Sequence, residues 1–118
     1  MNKYFNKKTT IDNINFSSKK ESTRYLQLKM LVKLGHIKDL QLQPKFELQP
    51  AYKKNGKNIR AINYMADFSY YDNQKEKYII EDVKGFNKKT GKHLSTQEFK
   101  LKKKIFEYIN QDKEIILV

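Results

Sequence analysis

Three residues near the middle of the chain have the types and spacing to do chemistry. Asp82 and Lys84 stand two apart at the end of the run Tyr78-Ile79-Ile80-Glu81-Asp82-Val83-Lys84, and Gly85 follows at once. Asp67 sits within an earlier apolar and aromatic run. The segments 59–71 and 76–84 read as two strands joined by the polar turn Asp72-Asn73-Gln74-Lys75. Side chains alternate faces along a strand, so Asp82 and Lys84 point the same way. If the hairpin pairs in register, Asp67 stands beside them. Two carboxylates with an ammonium close by suit a hard divalent cation next to a charged catalytic group.

The same alternation puts Ile62, Tyr64, Ala66, Phe68 and Tyr70 on one face, and Asn63, Met65, Asp67 and Ser69 on the other. An acid in such a run must be paired, hydrated or metal-bound, because burying an unpaired charge is expensive. A strand acid bonded to a nearby lysine is the plainer alternative. Glu81 is the competing carboxylate, but it falls on the face of Ile79 and Val83, away from Lys84. Glu21 is a third candidate. On a helix it stands in line with Leu28 and Val32, at the centre of an apolar stripe. It also completes Ser18-x-x-Glu21, the spacing of a capping box, so it serves equally as a metal carboxylate or as a bond to the helix start.

These groups need elements to hold them. Residues 1–16 form either a basic N-terminal arm or a short hairpin turning at Asp12-Asn13, and residues 17–118 form a single domain. A helix is expected from Ser17-Ser18 to about Leu34, stopped by Gly35. Its two apolar stripes, one of Tyr25, Leu28, Leu31 and Val32 and one of Leu26, Met30 and Leu34, predict burial on more than one side. Leu42-Gln43-Pro44 and Leu48-Gln49-Pro50 bracket a short extended piece at the border of the sheet. Residues 52–57 read as a basic loop turning at Asn55-Gly56, and 86–93 as a flexible basic loop. Ser95-Thr96-Gln97-Glu98 has capping-box spacing and opens a helix to about Asn110. Phe99, Leu101, Ile105, Phe106, Tyr108 and Ile109 fill one half of it; Lys100, Lys103, Lys104 and Glu107 fill the other, and the stem of Lys102 snorkels. Residues 114–118 read as a buried final strand. The expected class is α/β in the broad sense (α+β): a mixed central sheet in the order αβββαβ with helices packed against it.

Composition narrows the partners. With 118 residues the chain makes one domain, and eight Tyr and seven Phe spread along it argue against a disordered tail. Twenty-five Lys and Arg against thirteen Asp and Glu leave a net charge of +12, which makes nucleic acid the leading partner; a merely lysine-rich, solvated surface is the alternative. Candidate phosphate contacts are Lys19, Lys20 and Arg24 near the first helix start, Lys88, Lys89 and Lys92 in the loop after the site, and Lys100, Lys103 and Lys104 on the second helix. There is no cysteine, and His36 and His93 are too few for a zinc motif. The start lacks an apolar run and no stretch approaches a membrane span, so a cytoplasmic protein without a membrane partner is expected.

Taken together, Glu21, Asp67, Asp82 and Lys84 resemble the PD-(D/E)xK nuclease superfamily, whose core order is similar to this chain from about Ser17 onward. More closely, Ser18-Lys19-Lys20-Glu21, Leu42-Gln43-Pro44-Lys45-Phe46-Glu47-Leu48, Tyr64-Met65-Ala66-Asp67-Phe68 and Glu81-Asp82-Val83-Lys84-Gly85-Phe86 look like a small phage and prophage family. That family is usually labelled as of unknown function and grouped with Holliday-junction-resolvase-like nucleases; the similarity covers nearly the whole chain. Ala66 replaces the proline of the superfamily name, and Asp82 is one methylene shorter than the permitted glutamate. The resemblance implies a restriction-endonuclease-like core and hydrolysis of DNA phosphodiesters. It implies Mg²⁺ or Mn²⁺ held by Asp67, Asp82, Glu21 and the carbonyl of Val83, with Lys84 positioning water or offsetting charge on the phosphate. It also implies a preference for branched DNA such as four-way junctions, a homodimer, and a phage- or prophage-encoded protein in the bacterial cytoplasm. The alternatives are a nickase or general nuclease without junction preference, and a non-catalytic DNA-binding or regulatory protein on the same fold.

Overall fold

Turn chemistry sets many of the element boundaries. A computed structural model describes residues 9–118. Strands β1 (Thr9–Ile11) and β2 (Ile14–Phe16) are joined by Asp12 (φ 53°) and Asn13 (φ 62°), a two-residue turn whose twist matches the flanking strands. Helix α1 (Lys19–Lys33) starts at Ser18, whose hydroxyl accepts the N–H of Glu21 at 3.0 Å. It ends at Leu34, before Gly35 at φ 75°. Then come β3 (Ile37–Leu42), β4 (Lys45–Gln49), β5 (Tyr52–Lys54), β6 (Lys57–Ile59), β7 (Ile62–Met65), β8 (Phe68–Asp72) and β9 (Lys77–Asp82). The chain closes with β10 (Phe86–Asn87), β11 (Lys92–His93), α2 (Gln97–Ile109) and β12 (Glu114–Leu117).

The architecture is mixed α+β. Four strands form the central sheet in the order β12-β9-β8-β3, with β12 parallel to β9 and the other pairs antiparallel. Successive residues of β9 face opposite ways, and each face has its own apolar cluster. Ile79 packs with Phe68, Tyr70, Phe16, Ile37 and the α1 residues Tyr25 and Leu28. Ile80 packs with Tyr64, Ala66, Ile115 and the α2 residues Phe99 and Phe106. One helix therefore covers each face. The remaining strands make two-stranded ladders, β1–β2, β4–β7, β5–β6 and β10–β11.

The run 59–71, expected as one strand, is three. The interruption that matters is Ala66-Asp67. Tyr64 pairs with Phe46 on β4, whereas Phe68 pairs with Leu42 on β3 and Glu81 on β9. Between them the Ala66 N–H donates to the Pro44 carbonyl at 3.0 Å and the Asp67 N–H to the Glu81 carbonyl at 3.1 Å. Alternation holds only within an unbroken strand, so the single face expected for Ile62 through Tyr70 splits: Tyr64 and Ala66 lie on the α2 side, Phe68 and Tyr70 on the α1 side.

Several other expectations are corrected. The second α1 stripe, Leu26, Met30 and Leu34, is exposed, as is Val32; the residues that this helix buries are Glu21, Ser22, Tyr25 and Leu28. On α2, Leu101, Tyr108 and Ile109 are exposed and only Phe99 and Phe106 are fully buried. The cap of α2 is Thr96, whose hydroxyl accepts the Phe99 N–H at 3.1 Å, one residue later than the capping-box spacing from Ser95 to Glu98 would place it. The segments 52–57 and 86–93 are not plain loops: each contains a short antiparallel hairpin. Strand β12 lies at the sheet edge with Ile115 alone fully buried. The segment before α1 is a hairpin over residues 9–16, packed on the domain through Phe16 against Tyr25 (ring centroids 5.1 Å); the arm expected over residues 1–8 lies outside the described residues. Among the described residues, no helix is long and apolar enough to cross a membrane.

Candidate functional site

The break at Ala66-Asp67 is what makes a site. Released from regular pairing, Asp67 turns its carboxylate across to β9, where its Oδ2 accepts the Val83 N–H at 2.6 Å. Beyond the end of β9, the Lys84 N–H donates to the Val118 carbonyl and the Val118 N–H to the Asp82 carbonyl, each at 3.0 Å. The parallel pairing with β12 thus continues past both strands and fixes Asp82-Val83-Lys84 in extended form. Asp82 and Lys84 then share a face, and their side chains form an ion pair of 3.0 Å between Nζ and Oδ1.

The other Asp82 oxygen, Oδ2, accepts the hydroxyl of buried Tyr64 at 2.6 Å. Lys84 Nζ also lies 3.9 Å from the ring centroid of Phe99, close enough for a cation–π contact. Glu21 comes in from the first turn of α1. Its N–H is capped by Ser18, while its Oε2 accepts the Ser17 hydroxyl at 2.8 Å. The Glu21 backbone therefore serves the cap, but its carboxylate bonds Ser17 rather than returning to the Ser18 N–H as a capping-box glutamate would, and it lies buried beside Asp67.

Glu21, Asp67, Asp82, Val83 and Lys84 all line one open cleft of about 480 Å³. Burial, then the negative charges of Asp82 and Glu21, push the Asp67 carboxyl up to about 7 against the opposing pull of the Val83 N–H and Lys84. Among the described residues, no group of three or more acid or imidazole side chains is already drawn together as a metal cluster. The donor chemistry nevertheless fits a hard divalent ion. The carboxylate oxygens come from three separate segments, they repel one another, and the Lys84 ammonium is the cation now paired with Asp82.

Glu81 lies on the opposite face of β9, fully buried. Arg24 grips it with two bonds, Nε to Oε1 at 2.8 Å and Nη2 to Oε2 at 2.5 Å, and the Tyr70 hydroxyl donates to Oε2. Arg24, expected as a phosphate contact, thus has its guanidinium engaged by a buried carboxylate that has no other cation among the described residues, and a phosphate there would have to compete with this pair. Lys103 is likewise tied to Glu107 at 3.0 Å. Lys20 donates to the Lys84 carbonyl at 2.6 Å, so it braces the site strand. Lys19, Lys88, Lys89, Lys92, Lys100 and Lys104 are in no ion pair among the described residues and stay open to a polyanion.

Among the groups on the cleft wall that sequence reasoning missed are Lys45, Tyr64, Glu98, Phe99 and Lys102. Lys45 is brought in by its pairing with Met65 across β4–β7, a register no local pattern reveals. Lys102 did carry a signal, a lysine on the apolar face of its helix. Its ammonium pairs with Glu98 at 3.2 Å at the cleft rim. The family described as protein of unknown function (DUF1064) matches residues 1–117. No curated protein and no solved structure matches the chain.

Proposed function

The chain belongs to the DUF1064 family, and from its acidic cleft we propose that it is a metal-dependent DNA endonuclease of the PD-(D/E)xK kind. The observation that carries this reading is the convergence of Glu21, Asp67, Asp82 and Lys84 on one cleft from α1, the β7–β8 link and the end of β9. A protein that only binds DNA gains nothing from three carboxylates facing a polyanion. The helices and central sheet follow the chain order α1, β3, β8, β9, α2, β12, which supports a restriction-endonuclease-like core.

Asp67, Asp82 and Glu21 would hold Mg²⁺ or Mn²⁺, with the Val83 carbonyl as a further oxygen. When bound, the ion polarises the phosphate and lowers the pKa of an attacking water. Lys84 carries the positive charge nearest that carboxylate set. Once released from Asp82 it is placed to orient the water or to balance charge developing on the phosphate oxygens. The Phe99 ring, 3.9 Å from the ammonium, would hold it within the cleft in either role.

Branched DNA is the substrate class within this reading, cut by a homodimer in the bacterial cytoplasm. Symmetric cleavage of two strands needs two sites, and this chain has one acidic cleft of this kind among the described residues. The exposed Leu101, Tyr108 and Ile109 on α2 offer apolar surface that a second copy would cover. The test is one gel: labelled four-way junction, flap, linear duplex and single strand, each with Mg²⁺, Mn²⁺ or excess EDTA. Metal-dependent cutting that favours the junction supports the full reading. Equal cutting of all duplex substrates leaves a general nuclease, and cutting unaffected by EDTA removes the metal.

A further inference from the structure

We propose that the β5–β6 hairpin is a second contact surface for duplex DNA, a basic ribbon that seats its tip lysines on phosphates within one helical turn of the acidic cleft. The inference rests on the nuclease reading for the identity of the polyanion, but its own observations are separate. Residues 51–61 carry Lys53, Lys54, Lys57 and Arg60 and no acid. No carboxylate lies within ion-pair distance of any of the four among the described residues. Nearly every residue of the ribbon is exposed, and its strands pack substantially only on each other.

The register makes the ribbon look unfinished. Asn55 (φ 51°) and Gly56 (φ 75°) form a two-residue turn, which dictates direct pairing of the residues on either side. That pairing sets Lys54 opposite Lys57 and Tyr52 opposite Ile59. Opposed residues of an antiparallel pair share a face, and like charges placed so are destabilising. The ribbon therefore presents two lysines side by side at its tip, with exposed Tyr52 behind them. An anion between the two ammonium groups removes the repulsion, and a row of phosphates supplies such anions continuously.

Position links the ribbon to the cleft. It extends the β4–β7 ladder, whose paired residues Lys45 and Met65 both line the cleft. From Met65 back to Gly56 the chain can span at most roughly 30 Å at strand rise, less than the roughly 34 Å of one duplex turn. A two-stranded ribbon is also of a size that the major groove admits.

The test is equilibrium binding in EDTA, with hydrolysis switched off, of a duplex of about 30 base pairs across a salt series. The protein is the full chain, wild type and the double variant Lys54→Gln/Lys57→Gln, which keeps the turn residues. Each phosphate contact contributes about 0.9 to the slope of log affinity against log salt. The double variant is expected to lower that slope by between about 1 and 2 and to weaken binding several-fold, with a melting temperature equal to or above that of wild type. An unchanged slope overturns the ribbon proposal, as does loss of binding to phosphatidylserine vesicles with duplex binding unaltered. Cleavage is scored separately. A reduced slope in a protein that never cuts DNA keeps the ribbon and removes the nuclease, whereas cutting with an unchanged slope does the reverse.

Discussion

Lys84 Nζ stands 3.0 Å from Oδ1 of Asp82, in competition with any cation that would bind the same oxygen. The acid and the lysine of this cleft are partners as they stand, and on the proposed function a bound metal would make them rivals. Lys84→Ala is expected to bind Mn²⁺ at least as tightly as wild type while cutting DNA roughly a hundred-fold more slowly or worse, the usual scale for losing one transition-state donor. Asp82→Asn should lose both metal and cutting. Calorimetric titration with Mn²⁺ beside a single-turnover cleavage assay separates the two variants. Weaker metal binding by Lys84→Ala would contradict the rivalry.

Asp67 is expected to make stability depend on pH. Its folded pKa is pushed up to about 7, against about 4 in an unfolded chain. Between those values the folded state binds more protons than the unfolded one, so stability falls as pH rises through the window. Allowing for the openness of the cleft, the loss is on the order of 2 kcal/mol from about pH 5 to about pH 8 in EDTA. Denaturant midpoints should show that slope in wild type and a flatter one in Asp67→Asn. Adding Mg²⁺ at about pH 8 should restore wild-type stability by mass action and leave the variant little changed.

Much of this site was legible without coordinates. Asp82 and Lys84 share a face because the chain stays extended beside β12 past the end of β9, and Glu81 faces away for the same reason. Glu21 was readable twice over, from Ser18-x-x-Glu21 and from its helical phase. What local pattern could not reveal is the switch at Ala66-Asp67. It comes from a change of pairing partner, β4 before it and β3 with β9 after it, and partners are a property of the whole sheet. The Arg24–Glu81 pair was hidden for a related reason: only the register that buries Glu81 under α1 shows which carboxylate the guanidinium meets. The exposed stripes on α1 and α2 show the limit of periodicity, which says that a face is apolar but not what covers it.

Tyr64 is expected to hold Asp82 in place. Its hydroxyl donates to Oδ2 at 2.6 Å from a ring packed among Phe46, Phe99 and Phe106. Tyr64→Phe keeps the ring and deletes the bond, leaving a buried carboxylate oxygen without its donor. A hydrogen bond to a charged group is worth about 1.5–3 kcal/mol, and a urea titration should find a loss of that size. Cutting should slow more than stability alone accounts for, since the Asp82 rotamer becomes free. A fully active variant would show that Lys84 is enough to orient the carboxylate.

Arg24 and Glu81 test whether charge near α1 serves DNA or the fold. The pair is bidentate, Glu81 is buried, and Tyr70 completes the acceptor set. Removing one partner from a buried pair leaves the other charge uncompensated, at about 3–5 kcal/mol. Arg24→Ala is therefore expected to lower the denaturation midpoint sharply while leaving the salt slope of DNA binding unchanged. Replacing both members with apolar residues of similar volume, Arg24→Met with Glu81→Leu, should recover much of the lost stability, because desolvation of the two ions disappears along with their attraction. The cleft residues sit on the opposite face of β9, so the double variant should also keep metal-dependent cutting. If Arg24→Ala instead removes about one unit of salt slope from a protein of unchanged stability, its guanidinium belongs to the phosphate surface after all.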